Sequence, residues 1–239
     1  MAQTNVHIPG LELDIMVGQG AHSIVYKAKR GDEDYAVKLP RIEDLEDESR
    51  RINFIREAAI VAQVRHPALP RVYEVGEADD CPYLVMEFMG GTSLAAEIEK
   101  NPLSESEVVR VAIDLASGLG TLHLANLVHR DVKPRNVILS DKGRARLIDY
   151  GISSVATGTA DSVVAGTFQY SAPEQTGMLE RPVDGRADLY ALGVLIFECL
   201  TGQLPFQAKD VGDLLRMHAV VAAPDVRGLR GDVSDGLAM

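Results

Sequence analysis

Apolar and polar residues alternate through LELDIMVGQG (11–20) and again through SIVYKAKR (23–30), with glycines near the junction. A period of two marks a strand with one buried face, and the glycine-containing turn predicts that the two strands form a hairpin. A third short strand is predicted at DYAVKLP (34–40). The period then changes. From 41 to 66 a charged beginning leads to apolar residues at Ile52, Ile55, Ala59, Ile60 and Val64, which is helical spacing, and Pro67 ends the segment. PRVYEVGE (70–77) and PYLVMEFM (82–89) complete a predicted sheet of about five strands with one helix.

After GGTSL (90–94) the pattern becomes helical. Ser104 and Glu107 have the spacing of a capping box, with Leu103 and Val108 placed to form a hydrophobic staple. Apolar residues recur at Val108, Val111, Ala112, Leu115, Leu119 and Leu122. The run RADLYALGVLIFECLTG (186–202) is apolar almost all round, which predicts a central buried helix. The layout is α+β: a small β-rich lobe at 11–88, a larger and mostly helical lobe at 89–239, and an N-terminal extension at 1–10.

Composition narrows the function. The 239 residues are 46% hydrophobic and 25% charged, with a formal net charge of −11. Such a surface repels phosphate backbones and anionic membranes, so nucleic acid is excluded as the expected partner. Cys81 and Cys199 lie far apart in no metal-binding or redox spacing, and Cys199, in an apolar run, is expected to be a buried reduced thiol. MAQTNVHIPG lacks a basic region followed by an apolar core, so no signal peptide is expected. The longest apolar stretch, 189–200, is interrupted by Glu198 and too short for a bilayer, which needs about 20 apolar residues. A soluble, cytoplasmic chain is expected.

Candidate chemistry sits at four places. Gly18 and Gly20 at the first turn let backbone N–H groups approach an anion. Ser23 stands where a third glycine of G-x-G-x-x-G would be, and no helix follows, which argues against a dinucleotide fold. Lys38 lies in a strand, and Glu57, on the one helix of the small lobe, is a carboxylate able to hold that ammonium against a phosphate. In HRDVKPRN (129–136), Asp131 can accept a proton from a hydroxyl, Lys133 can neutralise charge on a moving phosphoryl group, and Asn136 offers an oxygen to a hard cation. Thirteen residues on, Asp149 ends an apolar strand and supplies an anionic ligand for the same ion. A salt-bridged surface loop would account for the charge, but not for this order of residues.

Taken together, the glycine-rich turn with Val25, AVK ending at Lys38, Glu57, HRDVKPRN, DYG at 149–151, GTFQYSAPE ending at Glu174, and Asp188 in DGRADLYALG resemble the eukaryotic-type (Hanks-type) serine/threonine protein kinases, most like bacterial members. The resemblance covers roughly residues 11–235 and implies a bilobal kinase fold with ATP and Mg²⁺ (or Mn²⁺) as cofactors. It implies that Val17, Gly18, Gln19, Gly20, Ala21, His22 and Ser23 cover the nucleotide, and that Val25, Ala36 and Ile138 sandwich the base. Met86 would be the gatekeeper, with Glu87 and Met89 offering backbone contacts. Lys38 would hold phosphates and pair with Glu57. Asp131 would be the catalytic base, helped by Lys133, with Asn136 and Asp149 on the metal. Lys133 and Thr167 fit the serine/threonine class, whose partners are protein substrates with Ser/Thr acceptors.

The hydroxyl-rich stretch before Glu174 is expected to be an activation segment. Phosphorylation of Thr159 or Ser162, in trans within a dimer, would create a partner for Arg130. Three features depart from the family pattern: Tyr150 in place of phenylalanine, Ser23 in place of glycine, and the end of the chain. Ser234 offers a helix N-cap there, yet the helices expected to follow, one carrying an arginine for Glu174, are missing, so the larger lobe reads as truncated. The alternative reading is an ATP-binding or scaffolding module of the pseudokinase type; Lys38, Asp131, Asn136 and Asp149 are all present against it. A small-molecule phosphotransferase is a third, opposed by the GTFQYSAPE segment.

Overall fold

The computed structural model describes residues 6–20, 22–149, 168–177, 179 and 181–238. The chain divides into two compact units; the described residues of the first are 6–89, and those of the second begin at Gly90.

The first unit is an antiparallel sheet of five strands: β1 (Glu12–Gln19), β2 (Ser23–Arg30), β3 (Glu33–Pro40), β4 (Val72–Ala78) and β5 (Cys81–Glu87), in the order β1-β2-β3-β5-β4. β4 and β5 are joined by Asp79 and Asp80 alone, at φ 50° and 58°. A two-residue hairpin with the twist of the strands needs both central residues left-handed, and aspartate tolerates this better than most side chains. Behind the sheet lie Ile8, Leu11, Ala28, Val37, Leu39, Cys81, Tyr83 and Val85, all buried. Ile8 belongs to the stretch expected to be an extension. It is 1% exposed, the half-buried Val6 packs against the same cluster, and the His7 N–H donates to the Asp79 carboxylate at 2.8 Å, so Ile8 is part of this core.

The long helix expected from 41 to 66 is shorter and broken: α1 is Ile42–Leu45 and α2 is Glu48–Val61. Asp47 caps α2 by accepting from Ser49 N and Arg50 N, which fixes its start. The buried stripe differs from the one predicted. Phe54, Ala58 and Val61 face the sheet, while Ile52 (56% exposed) and Ile55 (38%) do not, and Ala59 is exposed. This segment carries two apolar stripes at helical spacing, and only docking chooses between them. Phe54 decides it, because burying one large side chain contributes roughly 1.5–3 kcal/mol.

The second unit contains a small sheet, β6 (Thr92–Ser93), β7 (Val137–Leu139) and β8 (Ala145–Leu147), and the helices α3 (Leu94–Lys100), α4 (Glu105–Leu124), α5 (Gly185–Thr201), α6 (Val211–Val220) and α7 (Asp235–Ala238). The capping box forms as expected: Ser104 accepts from Glu107 N, and Ser104 N donates to the Glu107 carboxylate at 2.8 Å. The Ser104 hydroxyl also donates to the Glu107 carboxylate at 2.5 Å, and this bond, with that from Ser104 N, holds the Glu107 carboxyl below its usual range. On α4, Val108, Val111, Leu115, Leu119 and Leu122 are buried, and so is Asp114, which accepts from Arg144 Nε at 2.9 Å and Ala145 N at 3.0 Å and so pins β8 to the helix. Most of α5 is buried. Both cysteines are free and buried, and burial pushes the Cys199 thiol up to about 12, which leaves it protonated and inert at neutral pH. Ser234 precedes α7, and its hydroxyl bonds the Glu105 carboxylate, which ties this segment to α4. Among the described residues no helix is long and apolar enough to cross a membrane.

Two predictions come from this packing. Gly76 faces Tyr83 across β4 and β5, and a Cβ there would stand 2.5 Å from the phenol Cζ and hydroxyl. That ring is 6% exposed and its hydroxyl donates to Glu74 at 2.6 Å, so it has little room to yield. Gly76→Ala is expected to destabilise the protein by about 1–3 kcal/mol; an unchanged thermal midpoint would contradict this. His218 on α6 is buried, with Nδ1 2.6 Å from the Tyr190 hydroxyl and its ring edge-on to Phe206. Burial lowers its pKa below the ordinary 6.5. A depressed histidine pKa gives stability that is complete above the unfolded value and lost as pH falls. The thermal midpoint should therefore drop from pH 6.5 downward, and His218→Gln should flatten that slope.

Candidate active site

The loop 127–136 is set by what precedes and follows it. α4 closes at Asn126, whose φ of 57° is the left-handed turn that ends helices, and Leu127 N returns to the Leu122 carbonyl at 3.0 Å. Three donors then converge on one carboxylate. Asp188, in the first turn of α5 and 1% exposed, accepts from His129 N at 2.9 Å, Arg130 N at 2.7 Å and His123 Nε2 at 2.8 Å. Gly185 makes the third bond feasible, because any Cβ there would lie 2.7 Å from the His123 ring. Arg130 adopts φ 66°, a conformation that costs a non-glycine residue about 1–3 kcal/mol, and the two N–H bonds to Asp188 offset that strain.

The strained turn presents Asp131. Its carboxylate accepts from Asn136 Nδ2 at 2.9 Å and lies 2.7 Å from Lys133 Nζ. Asn136 Nδ2 also donates to the Asp131 carbonyl at 2.8 Å. Both amide hydrogens are thus used, which leaves the Asn136 oxygen as its remaining polar atom. Pro134–Asn136 form a single 3-10 turn that brings Asn136 back beside Asp131. Beneath them His129 is 1% exposed. Its Nε2 lies 3.2 Å from the Ile148 carbonyl and its Nδ1 3.4 Å from Asp131 N, so Nε2 carries the proton and Nδ1 accepts. Burial lowers its pKa, against the attraction of Asp188, which agrees with a neutral ring. Ile148 N donates to the Asn136 carbonyl at 2.8 Å, and Asp149 follows at φ 63°. Backbone bonds therefore carry Asp149 alongside the same loop. Ile138 lies next to it on β7, paired with Ser93 and Arg146.

In the first unit, Gly18 pairs with Val25 and Gln19 with Ile24 across the glycine turn, and Gly20 N donates to the Ser23 carbonyl at 2.8 Å. Val17 is 46% exposed, His22 half-buried and Ser23 buried. Val25 pairs with Lys38, and Ala36 pairs with both Lys27 and Met86. Lys38 is 1% exposed, which no ammonium tolerates alone, and it has an interaction partner, as does the half-buried Glu57 on α2. Met86 is buried at 3%; the Glu87 N–H is already used by the Arg71 carbonyl at 2.8 Å; Met89 is the last residue of this unit. Ala21, Tyr150, Thr159, Ser162 and Thr167 lie outside the described residues.

Two residues of the site were not singled out from the sequence. Gln175 accepts from Ala172 N at 3.0 Å and donates to the Arg130 carbonyl at 2.9 Å, fastening the segment around Glu174 to the loop. Glu198 accepts from the Tyr170 hydroxyl at 2.6 Å, tying the same segment to α5. Burial raises the Glu198 pKa. A glutamate interrupting an apolar helix was its only signal in the sequence.

Comparison with known proteins identifies the family. A family profile described as protein kinase domain matches residues 11–224. The serine/threonine-protein kinase PknB of Mycobacterium tuberculosis is 36% identical over 219 residues, 87% of this chain and 35% of that protein. The probable serine/threonine-protein kinase PknB of Lactococcus lactis is 31% identical, over 92% of this chain and 36% of that one. PrkC of Bacillus subtilis is 30% identical, over 89% and 33%. The chain thus spans about a third of the length of these curated relatives. Among solved structures, the kinase domain of M. tuberculosis PknI superposes with a TM-score of 0.72 at 27% identity, covering 100% of this chain and 90% of that one.

The Asp188 bonds give a direct test. Asp188→Ala leaves two buried N–H groups without an acceptor and is expected to destabilise the second unit by about 3–5 kcal/mol. Urea denaturation followed by circular dichroism would measure it, and a loss below about 1 kcal/mol would refute the role given to this carboxylate.

Proposed function

The chain belongs to the protein kinase family, and from that premise we propose that it transfers the γ-phosphoryl group of ATP to serine or threonine hydroxyls of proteins. The observation that carries the reading is the Asp131 carboxylate, held by Asn136 at 2.9 Å and Lys133 at 2.7 Å on a turn whose backbone Asp188 fixes. A base for proton transfer must be placed before its pKa matters, and this one is placed from three sides.

In the step we propose, the acceptor hydroxyl oxygen bonds to the γ-phosphorus as the bond to the β-phosphate oxygen breaks. The hydroxyl proton passes to Asp131, and ADP leaves. Lys133 stands where it can balance charge on the transferred group. Lys38 holds the phosphates and is held by Glu57. The turn from Val17 to Ser23 covers them, while Val25, Ala36 and Ile138 contact the base, Met86 guards its edge, and Glu87 and Met89 offer backbone groups. Asn136 and Asp149 suit a divalent cation: one neutral oxygen and one carboxylate are the hard donors Mg²⁺ takes when phosphates fill its other positions. Held by Asn136 and Asp149, such an ion would draw charge from the phosphate oxygens; Mg²⁺ is the expected metal, with Mn²⁺ able to replace it.

The same reading makes Thr159 or Ser162 a site of autophosphorylation, in trans within a dimer, with Arg130 as the phosphate's partner, and takes Thr167 with Lys133 as marks of the serine/threonine class. It places the domain in the cytoplasm, where ATP is. The GTFQYSAPE segment favours a peptide acceptor, because in the family it resembles that segment docks a peptide.

Transfer from γ-labelled ATP to the protein itself and to a basic protein substrate tests the proposal. Asp131→Asn is expected to lower turnover roughly 10²–10⁴-fold while nucleotide binding persists. Lys38→Met should lose transfer to a similar extent. Binding of ATP without transfer in the unaltered chain would point instead to a module that uses the nucleotide only as a ligand.

A further inference from the structure

The glycine turn between β1 and β2 is fastened sideways to the start of α2. The His22 carbonyl accepts from Arg41 N at 3.1 Å. Its ring Nδ1 lies 3.3 Å from both carboxylate oxygens of Asp44, on α1. Asp44 is 5% exposed, and a buried carboxylate needs donors around it. It finds them in His22 and in Arg50, whose NH1 contacts the Asp44 carboxylate and lies 3.3 Å from His22 Nδ1. Arg50 also places Nε 3.3 Å from Asp47, the residue that caps α2. A continuous polar path therefore runs from the turn through His22, Asp44 and Arg50 to the first turn of α2, the helix that carries Glu57. Every member belongs to the first unit.

This path has no need to exist for the sheet to fold. β1 and β2 are already paired by their backbones, and α2 is already capped by Asp47. A turn with Gly18 and Gly20 would otherwise lose much conformational freedom on settling over a ligand. We infer that His22 is a positioning residue: through Asp44 and Arg50 it holds the glycine turn in place in advance of the nucleotide, and it links the position of that turn to the position of α2. The inference rests on reading residues 17–25 as the nucleotide cover. A turn ordered beforehand loses less entropy on binding, so the link acts on nucleotide affinity rather than on the transfer step.

Equilibrium titration with a fluorescent ATP analogue in the presence of Mg²⁺, together with steady-state kinetics, tests it on five proteins: the unaltered chain, His22→Ala, His22→Gln, Asp44→Asn and the variant that combines His22→Ala with Asp44→Asn. His22→Ala is expected to weaken binding about 3–10-fold and to raise KM for ATP by the same factor, more than it lowers kcat. Once Asp44→Asn is present, His22→Ala should add little, because the two act through one bridge. His22→Gln, which keeps a side-chain donor, should recover part of the loss. Amide exchange at 17–24 and at the start of α2 should quicken together in His22→Ala, with the thermal midpoint within a degree or two of the parent. Unchanged affinity in His22→Ala, or losses that simply add in the double variant, would overturn the inference while the nucleotide site stands. Failure of the unaltered chain to bind the analogue would overturn both.

Discussion

One buried carboxylate organises the larger unit. Asp188 projects from the most buried helix, and it accepts from two successive backbone N–H groups and one imidazole. Without those bonds Arg130 has no reason to hold φ 66°, and Asp131 would not be turned toward Asn136 and Lys133. A charge buried in this way is tolerated because every donor near it is satisfied; the same completeness makes it rigid. His129 extends the arrangement by bonding Ile148, and through Ile148 the strand end that carries Asp149 is brought alongside. The chemistry of the loop is therefore a consequence of a helix that takes no direct part in it.

The smaller unit follows a different logic. Its sheet is fixed by backbone pairing and by an apolar layer that includes Ile8, ahead of the first strand. Lys38 is almost fully buried within that sheet, an arrangement that only a charge partner or a bound anion makes stable. Around the glycine turn the stabilising contacts are polar: His22, Asp44, Arg50 and Asp47 form a chain of hydrogen bonds and ion pairs at the margin of the sheet.

The segment from Phe168 to Thr176 is secured by two side chains of different character. Gln175 is neutral and bonds backbone groups on both sides of it. Glu198 is half-buried, its pKa is raised by burial, and it is paired with the Tyr170 phenol, whose own pKa burial also raises. Both anchors leave this segment attached to α5 and to the loop that carries Asp131.

By itself the sequence determined a good deal. Periods of two and 3.6 located the sheet and helices, because those periods are the backbone's own geometry. The capping box at Ser104 and Glu107 was legible because a cap is local. The order of Lys38, Glu57, Asp131, Asn136 and Asp149 pointed to a chemistry through its resemblance to the protein kinases. Only the tertiary structure decided which stripe of α2 is buried, since Ile52 and Ile55 compete with Phe54 and Ala58 on equal local terms and only the sheet discriminates between them. It alone placed Ser234 against Glu105, and it alone joined His22 to Asp44 and Arg50, or Gln175 to Arg130. Those contacts join residues far apart in the chain, and no local periodicity records which polar side chain will find which partner once the apolar surfaces have closed.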